Sequence, residues 1–262
     1  VTVSANITDS QGPGGGPFLF RKCGAGTIRL SGNNTYTGRT VLENGSLSVS
    51  SLNSFTKGKR KPGSSLGAPM DIEAGEIVIG EEGKDGECSL IYTGPGETTD
   101  RVMNLAGKTA TVVFDQSGAG LLKLTSDILI SGYGAHKIIA LKGDTAGTGE
   151  LAGAIANPHD RAGKASTAVT KSGTGTWTLA GTNTYTGPTT VSQGTLALAN
   201  VRSLAATSEI DISAGAILEL NFKGEMRVSK LTLDGKTQPA GKYDATRFAN
   251  NLKGSGVLVV DP

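Results

Sequence analysis

Short stretches in which apolar and polar residues alternate recur along the chain. Thr27-Ile28-Arg29-Leu30, Ser46-Leu47-Ser48-Val49 and Thr195-Leu196-Ala197-Leu198 each set an apolar face against a polar one. Between such stretches stand Gly-Asn-Asn-Thr, Glu-Asn-Gly-Ser, Gly-Thr-Asn-Thr and Ser-Gln-Gly-Thr, where Gly or Asn can take the left-handed conformation that a sharp corner needs. Strands of about four to six residues with a corner roughly every ten residues predict an all-β chain. The best helical candidates, Ser203 to Ala206 and the neighbourhood of Arg247 to Asn250, are no longer than about two turns.

The pattern is duplicated. Lys22 to Val49 aligns without gaps on Lys171 to Leu198, and half the aligned positions are identical. The shared skeleton is K-x-G-x-G-T-x-x-L-x-G-x-N-T-Y-T-G-x-T followed by G-x-L. It comprises Gly24, Gly26, Thr27, Leu30, Gly32, Asn34, Thr35, Tyr36, Thr37 and Gly38 in the first copy. The second copy has Gly173, Gly175, Thr176, Leu179, Gly181, Asn183, Thr184, Tyr185, Thr186 and Gly187. Downstream, Asp71 to Gly75 matches Asp211 to Gly215 at a shorter spacing in the second copy. The difference corresponds to Lys57 to Ser65, a basic, Pro- and Gly-containing run that reads as an exposed loop between strands. Two units follow: residues 1–150 with the basic insertion near 57–65, and residues 151–262 with a terminal strand or cap.

Antiparallel sandwiches and parallel β-helices both answer to short alternating strands. The long-period duplication, and inward positions filled one apolar residue at a time, favour the β-helix. About 20 to 25 residues per coil and ~4.8 Å per layer would give a rod on the order of 50 Å long.

Composition narrows the functional classes. The 39 glycines are about twice the usual share of roughly 7% but lack the third-position period of collagen. A formal charge of +2 gives no field that suits a nucleic-acid partner. No apolar run approaches the roughly 18 residues that span a bilayer. Val1 opens the chain without a charged and apolar leader, as expected of a processed or excised piece. No metal or cofactor is expected: Cys and His are few, with no C-x-x-C and no paired His spacing. Cys23 and Cys88 could form one disulfide in an oxidising compartment.

The G-x-G-T-x-x-L-x-G-x-N-T-Y-T-G-x-T core at Gly24 to Leu47 and Gly173 to Leu196 resembles the autotransporter-associated β-strand repeat, or passenger-associated transport repeat, of secreted Gram-negative proteins. The linking segments around Gly94 to Val102 and Gly143 to Glu150 resemble coils of planctomycete and verrucomicrobial exoproteins. The resemblance implies a right-handed parallel β-helix in an exported or surface-exposed protein of a Gram-negative bacterium. Its partners would be other segments of the same larger protein, with surface polysaccharide or glycan as a further partner. End-to-end self-association through exposed terminal coils is also open. The resemblance implies no catalytic residue, and the sequence contains no translocating barrel of alternating strands.

Individual residues sharpen the reading. Trp177, aligned with Ile28, falls on the inward parity and is expected in the core rather than as a sugar platform. Tyr36 and Tyr185 are expected to seal the coil, with their hydroxyls on water or backbone. Lys57, Lys59, Arg60 and Lys61 form a candidate polyanion site, although no aromatic residue is interleaved with them. Glu81, Glu82, Asp85 and Glu87 lack calcium-loop spacing. Asp100-Arg101 and His159-Asp160-Arg161 sit beside turns and read as solvent-facing charges rather than a catalytic constellation. A non-catalytic structural or adhesive module is therefore expected. The alternatives are a carbohydrate-binding module, which needs an outward aromatic row, and a β-helical lyase or hydrolase, which needs clustered carboxylates.

Overall fold

The computed structural model describes residues 1–11, 15–55, 62–108, 110–132, 136–160 and 163–261. The architecture is all-β and dominated by parallel ladders. An eleven-stranded sheet runs from Thr2–Val3 through Thr27–Leu30, Gly45–Val49, Gly86–Tyr92, Ala110–Gln116 and Lys137–Lys142. It continues through Thr167–Lys171, Thr189–Val191, Glu209–Ile212 and Lys230–Leu233 to Lys236–Thr237. A seven-stranded sheet takes Glu97–Thr99, Leu121–Leu124, Thr148–Leu151, Thr176–Leu179, Thr195–Leu198, Ile217–Leu220 and Leu252–Gly254. A four-stranded sheet holds Phe20–Lys22, Thr40–Leu42, Ile77–Ile79 and Met103–Leu105. Consecutive strands pass from sheet to sheet, as expected of a solenoid.

Registered pairs align inward residues in columns. One column reads Ile28, Leu47, Leu90, Phe114, Leu141, Lys171, Val191, Ile212, Leu233. Subtracting successive residue numbers gives 19, 43, 24, 27, 30, 20, 21 and 21 residues per layer. The largest step contains the insertion, and two of the linking coils, at 27 and 30 residues, run longer than the 20 to 25 expected. Strand Thr148–Leu151 lies across the 150/151 division and pairs on both sides, so one ladder joins the two repeat units.

The two repeat copies do not occupy equivalent sheets. Thr27–Leu30 and Gly45–Val49 lie in the eleven-stranded sheet, whereas their counterparts Thr176–Leu179 and Thr195–Leu198 lie in the seven-stranded one. The second copy is thus set one face further round. The match between Asp71–Gly75 and Asp211–Gly215 also fails to carry structure. Ile72–Gly75 is a single helical turn capped by Asp71, which accepts from the Ala74 N–H at 2.7 Å, whereas Glu209–Ile212 is a strand. Ile72 is accordingly exposed and Ile212 buried. Ser203 to Ala206 and Arg247 to Asn250 form no helix.

The rod ends in antiparallel pairing. Lys236–Thr237 folds back on Thr232–Leu233 in the eleven-stranded sheet, and Gly241–Tyr243 runs antiparallel to Val257–Val260. Among the described residues, no helix is long and apolar enough to cross a membrane.

Candidate functional site

The repeat motif is a set of cross-coil fasteners, repeated atom for atom. Asn34 Oδ1 accepts the Ile7 N–H from the preceding coil at 2.8 Å, and its Nδ2 donates to Ser65 O at 2.7 Å. Asn183 Oδ1 accepts from Ile155 N at 2.8 Å and its Nδ2 donates to Ser203 O at 2.7 Å. Each side-chain amide thus binds the backbone of both neighbouring layers in a buried position where unpaired groups are costly. The Tyr36 and Tyr185 rings are buried, as expected of rings that seal the coil. Their hydroxyls pair with the Oγ1 of Thr40 at 2.8 Å and of Thr189 at 2.7 Å rather than with backbone. Burial raises both phenols above their ordinary range.

Glycine is required where layers meet. A Cβ on Gly38 would stand 2.5 Å from Phe18 O, and on Gly187 2.4 Å from Thr167 O. Gly24 and Gly173, by contrast, hold φ of 76° and 74° at matching corners.

The lysine that opens each copy is the residue the alternation conceals. Lys22 and Lys171 occupy inward positions, in register with Leu42 and with Val191, and both are buried. The stems pack in the core while each ammonium turns into the corner. Lys22 Nζ donates to the carbonyls of Cys23, Gly24 and Asn44 at 3.1, 2.6 and 2.9 Å. Lys171 Nζ donates to Ser172, Gly173 and Gln193 at 2.9, 2.7 and 3.1 Å. Lys137 binds the carbonyls of Gly107 and Lys108 in the same manner. Desolvation pushes Lys171 down to about 8. The signal in the sequence was the identical K-x-G-x-G spacing, since a chain corner offers converging carbonyls that only a long cation can reach.

The residues on either side of the insertion in the first copy rest on a platform of side chains. Lys57, Lys59, Arg60 and Lys61 lie outside the described residues, but both stems are inside them. Ser64 and Ser65, expected in an exposed loop, are buried, because Ser64 exchanges both backbone bonds with Asn34 and Ser65 accepts from the Asn34 amide. From the following coil, the Glu97 carboxylate accepts from Leu52 N at 2.6 Å and Asn53 N at 3.0 Å, while Thr99 Oγ1 donates to Asn53 O at 2.6 Å.

Asp100 and Arg101, expected in solvent, are part of this platform. Asp100 accepts the Phe55 N–H. Arg101 is 1% exposed. Its guanidinium donates to Gly75 O at 2.6 Å, Leu52 O at 3.1 Å and Leu66 O at 2.7 Å, gathering both stems and the helical turn. Burial lowers Arg101 to about 10 and raises Glu97.

Trp177 is buried, with its indole N–H donating to Lys142 O at 2.7 Å, and Ile28 packs half-buried against the same core. Cys23 and Cys88 are free thiols, so the bridge that two cysteines allowed is not formed. Cys23 follows Lys22, which pairs with Leu42 from one side, whereas Cys88 pairs with Gly45 from the other. A whole layer intervenes, placing them roughly 9–10 Å apart at ~4.8 Å per layer, beyond the ~7 Å that a disulfide tolerates. Both thiols donate to Glu43 instead, Cys23 to the carboxylate at 2.9 Å and Cys88 to the carbonyl at 3.3 Å. Elsewhere Glu81 pairs with Lys84 at 2.7 Å, Asp160 accepts the N–H groups of Lys164 and Ala165, and Arg161 lies outside the described residues.

Two copies of one fastener set in stacked parallel ladders point to a known repeat. Residues 20–49 and 169–198 match the passenger-associated transport repeat family. Each passenger-associated repeat spans the caging lysine, the bridging Asn and the buried Tyr. The chain is also similar to the adhesin BmaC autotransporter of Brucella suis biovar 1 (strain 1330), at 33% identity over 167 residues. That alignment covers 62% of this chain and 5% of the adhesin's length. No solved structure matches the chain.

Proposed function

We propose that the chain is a non-catalytic structural and adhesive module of a secreted, surface-exposed bacterial protein, its coils wound right-handed and continuous with other segments of a larger Gram-negative exoprotein. The observation that carries this reading is that the motif spends its chemistry internally. The amide of Asn183, the hydroxyl of Tyr185 and the ammonium of Lys171 each bond within the rod. Such a unit supplies layers to stack, and display falls to what leaves the layers. The similarity to an adhesin autotransporter supports the exported, adhesive setting. The likeness of the linking coils to planctomycete and verrucomicrobial exoproteins belongs to the same reading.

A carbohydrate-binding module would instead use outward aromatic rings, yet Trp177, Tyr36, Tyr92 and Tyr185 are buried. The test is a polysaccharide array probed with the intact chain, alongside an assay for unsaturated sugar products from acidic polysaccharides. Neither sugar products nor tight, saturable binding to a single glycan is expected; product formation would overturn the non-catalytic reading, and saturable binding to one glycan would replace the structural reading with that of a carbohydrate-binding module.

A further inference from the structure

Where the second copy runs on as a strand, the first makes the helical turn Ile72–Gly75, and a cleft of about 290 Å³ opens beside that turn. Its walls include Ile72 and Gly75 from the turn, Asp100, Arg101 and Val102 from a later coil, and Phe55. Ile72 is 63% exposed, and Met70, two residues before it, is 47% exposed. Large apolar side chains left in water beside a concavity mark a docking surface. Ile212, which stands in place of Ile72 in the second copy, is buried, so the surface belongs to the first copy alone.

Arg101 indicates what docks. Its Nε and Nη1 are taken up by the carbonyls of Gly75, Leu52 and Leu66. Its Nη2 is buried and has no hydrogen-bond partner; among the described residues only the Ser208 hydroxyl shares that state. A buried donor without an acceptor is costly, so an oxygen seated in the cleft would be stabilised by this N–H. Asp100, on the same cleft, offers a carboxylate to an amide N–H. The volume falls at the lower end of the roughly 300–1,000 Å³ of ligand pockets, which suits one side chain rather than a run of sugar rings. An apolar side chain flanked by a carbonyl and an N–H is the chemistry of a peptide residue. We propose that the cleft docks an extended segment of a partner protein, taking one branched aliphatic side chain against Phe55, Ile72 and Val102 and that residue's carbonyl oxygen on Arg101 Nη2. The inference rests on the adhesive reading and names its partner as protein rather than glycan.

The experiment titrates the isotope-labelled full chain with N-acetyl-L-leucinamide and follows its amide and guanidinium NMR signals. Two controls divide the ligand: N-acetylglycinamide keeps the carbonyl and lacks the side chain, and isoamyl alcohol keeps the branched chain and lacks the carbonyl. The leucine amide is expected to bind saturably with a Kd on the order of millimolar, as befits so small a ligand. It should shift the amides of Gly75 and Val102 and the guanidinium of Arg101. Both controls are expected to bind at least tenfold more weakly. Ile72→Asp, at a position exposed enough to leave the fold intact, is expected to lose at least fivefold in affinity for the leucine amide. Arg101→Lys should bring the leucine amide down to the affinity of the alcohol; should that variant fail to fold, the comparison of amide with alcohol on the wild type decides the same point. Equal binding of the alcohol and the amide overturns the role of Arg101 and with it the peptide partner. Absence of any shift with the leucine amide, or unchanged affinity in Ile72→Asp, overturns the cleft as a docking site. Either result leaves the adhesive reading standing, since the glycan and turnover assays test that separately.

Discussion

Trp177 lies across Gly149, its registered partner on the preceding coil, and a Cβ placed on Gly149 would stand 2.3 Å from the indole. Neighbouring layers thus divide their volume, a ring in one against a bare backbone in the next. Gly149→Ala is expected to destabilise the fold by about 1–3 kcal/mol, the usual range for overpacking a filled core. As Trp177 is the only tryptophan, urea unfolding followed by its emission measures this directly.

The Lys171 cage gives stability a distinct pH dependence. Its folded pKa of about 8 lies below the ordinary 10.5, so between these values the unfolded chain binds a proton that the folded chain has released. Stability from this group therefore rises with pH across that window, is fully present above it and is lost as pH falls through about 8. Lys171→Met is expected to remove this rise. Urea midpoints of both proteins compared between pH 7 and pH 10 check it.

The amide of Asn183 fastens two layers at once. Asn183→Ala leaves the Ile155 N–H and the Ser203 carbonyl without their partner, and is expected to cost about 2–4 kcal/mol at the usual penalty for orphaned buried groups. Amide exchange should quicken first at Ile155, the N–H that loses its acceptor, ahead of the flanking strands.

Much of this architecture was legible because period-two alternation survives in strands this short. Trp177 fell on the inward parity, the two motif tyrosines stood at corners where a ring seals the coil, and the duplication exposed the fasteners as a set. Lys22 and Lys171 were hidden because a charged side chain at an inward position reads as a surface residue until the corner carbonyls are known. Arg101 was misread for the same reason: its acceptors are the carbonyls of Leu52, Leu66 and Gly75, all distant from it in sequence. The change of sheet between copies depends on the strands of the linking coils, which carry no motif. Ile72 and Ile212 share a local sequence but differ in structure because Asp71 caps a helical turn in one copy only.

The two thiols are expected to stay unpaired under oxidising conditions. Native alkylation should label Cys23, which is exposed, and leave buried Cys88 until denaturation. Labelling of Cys23 should be slow at neutral pH, since its hydrogen bond to Glu43 and the nearby negative charge raise its pKa. Mass spectrometry of an air-oxidised, unreduced digest is expected to contain no Cys23–Cys88 peptide.

The parallel stacking itself is open to a distance measurement. Leu121, Thr148, Thr176, Thr195 and Ile217 form one outward column in consecutive layers of the seven-stranded sheet. Four steps of ~4.8 Å set Leu121 and Ile217 roughly 19 Å apart along the rod. Spin labels at L121C and I217C, in a C23S/C88S background, are expected to give a narrow dipolar distance distribution near that value, broadened only by the label arms. A distribution centred beyond about 30 Å, or one without a defined peak, would contradict the layered parallel coil.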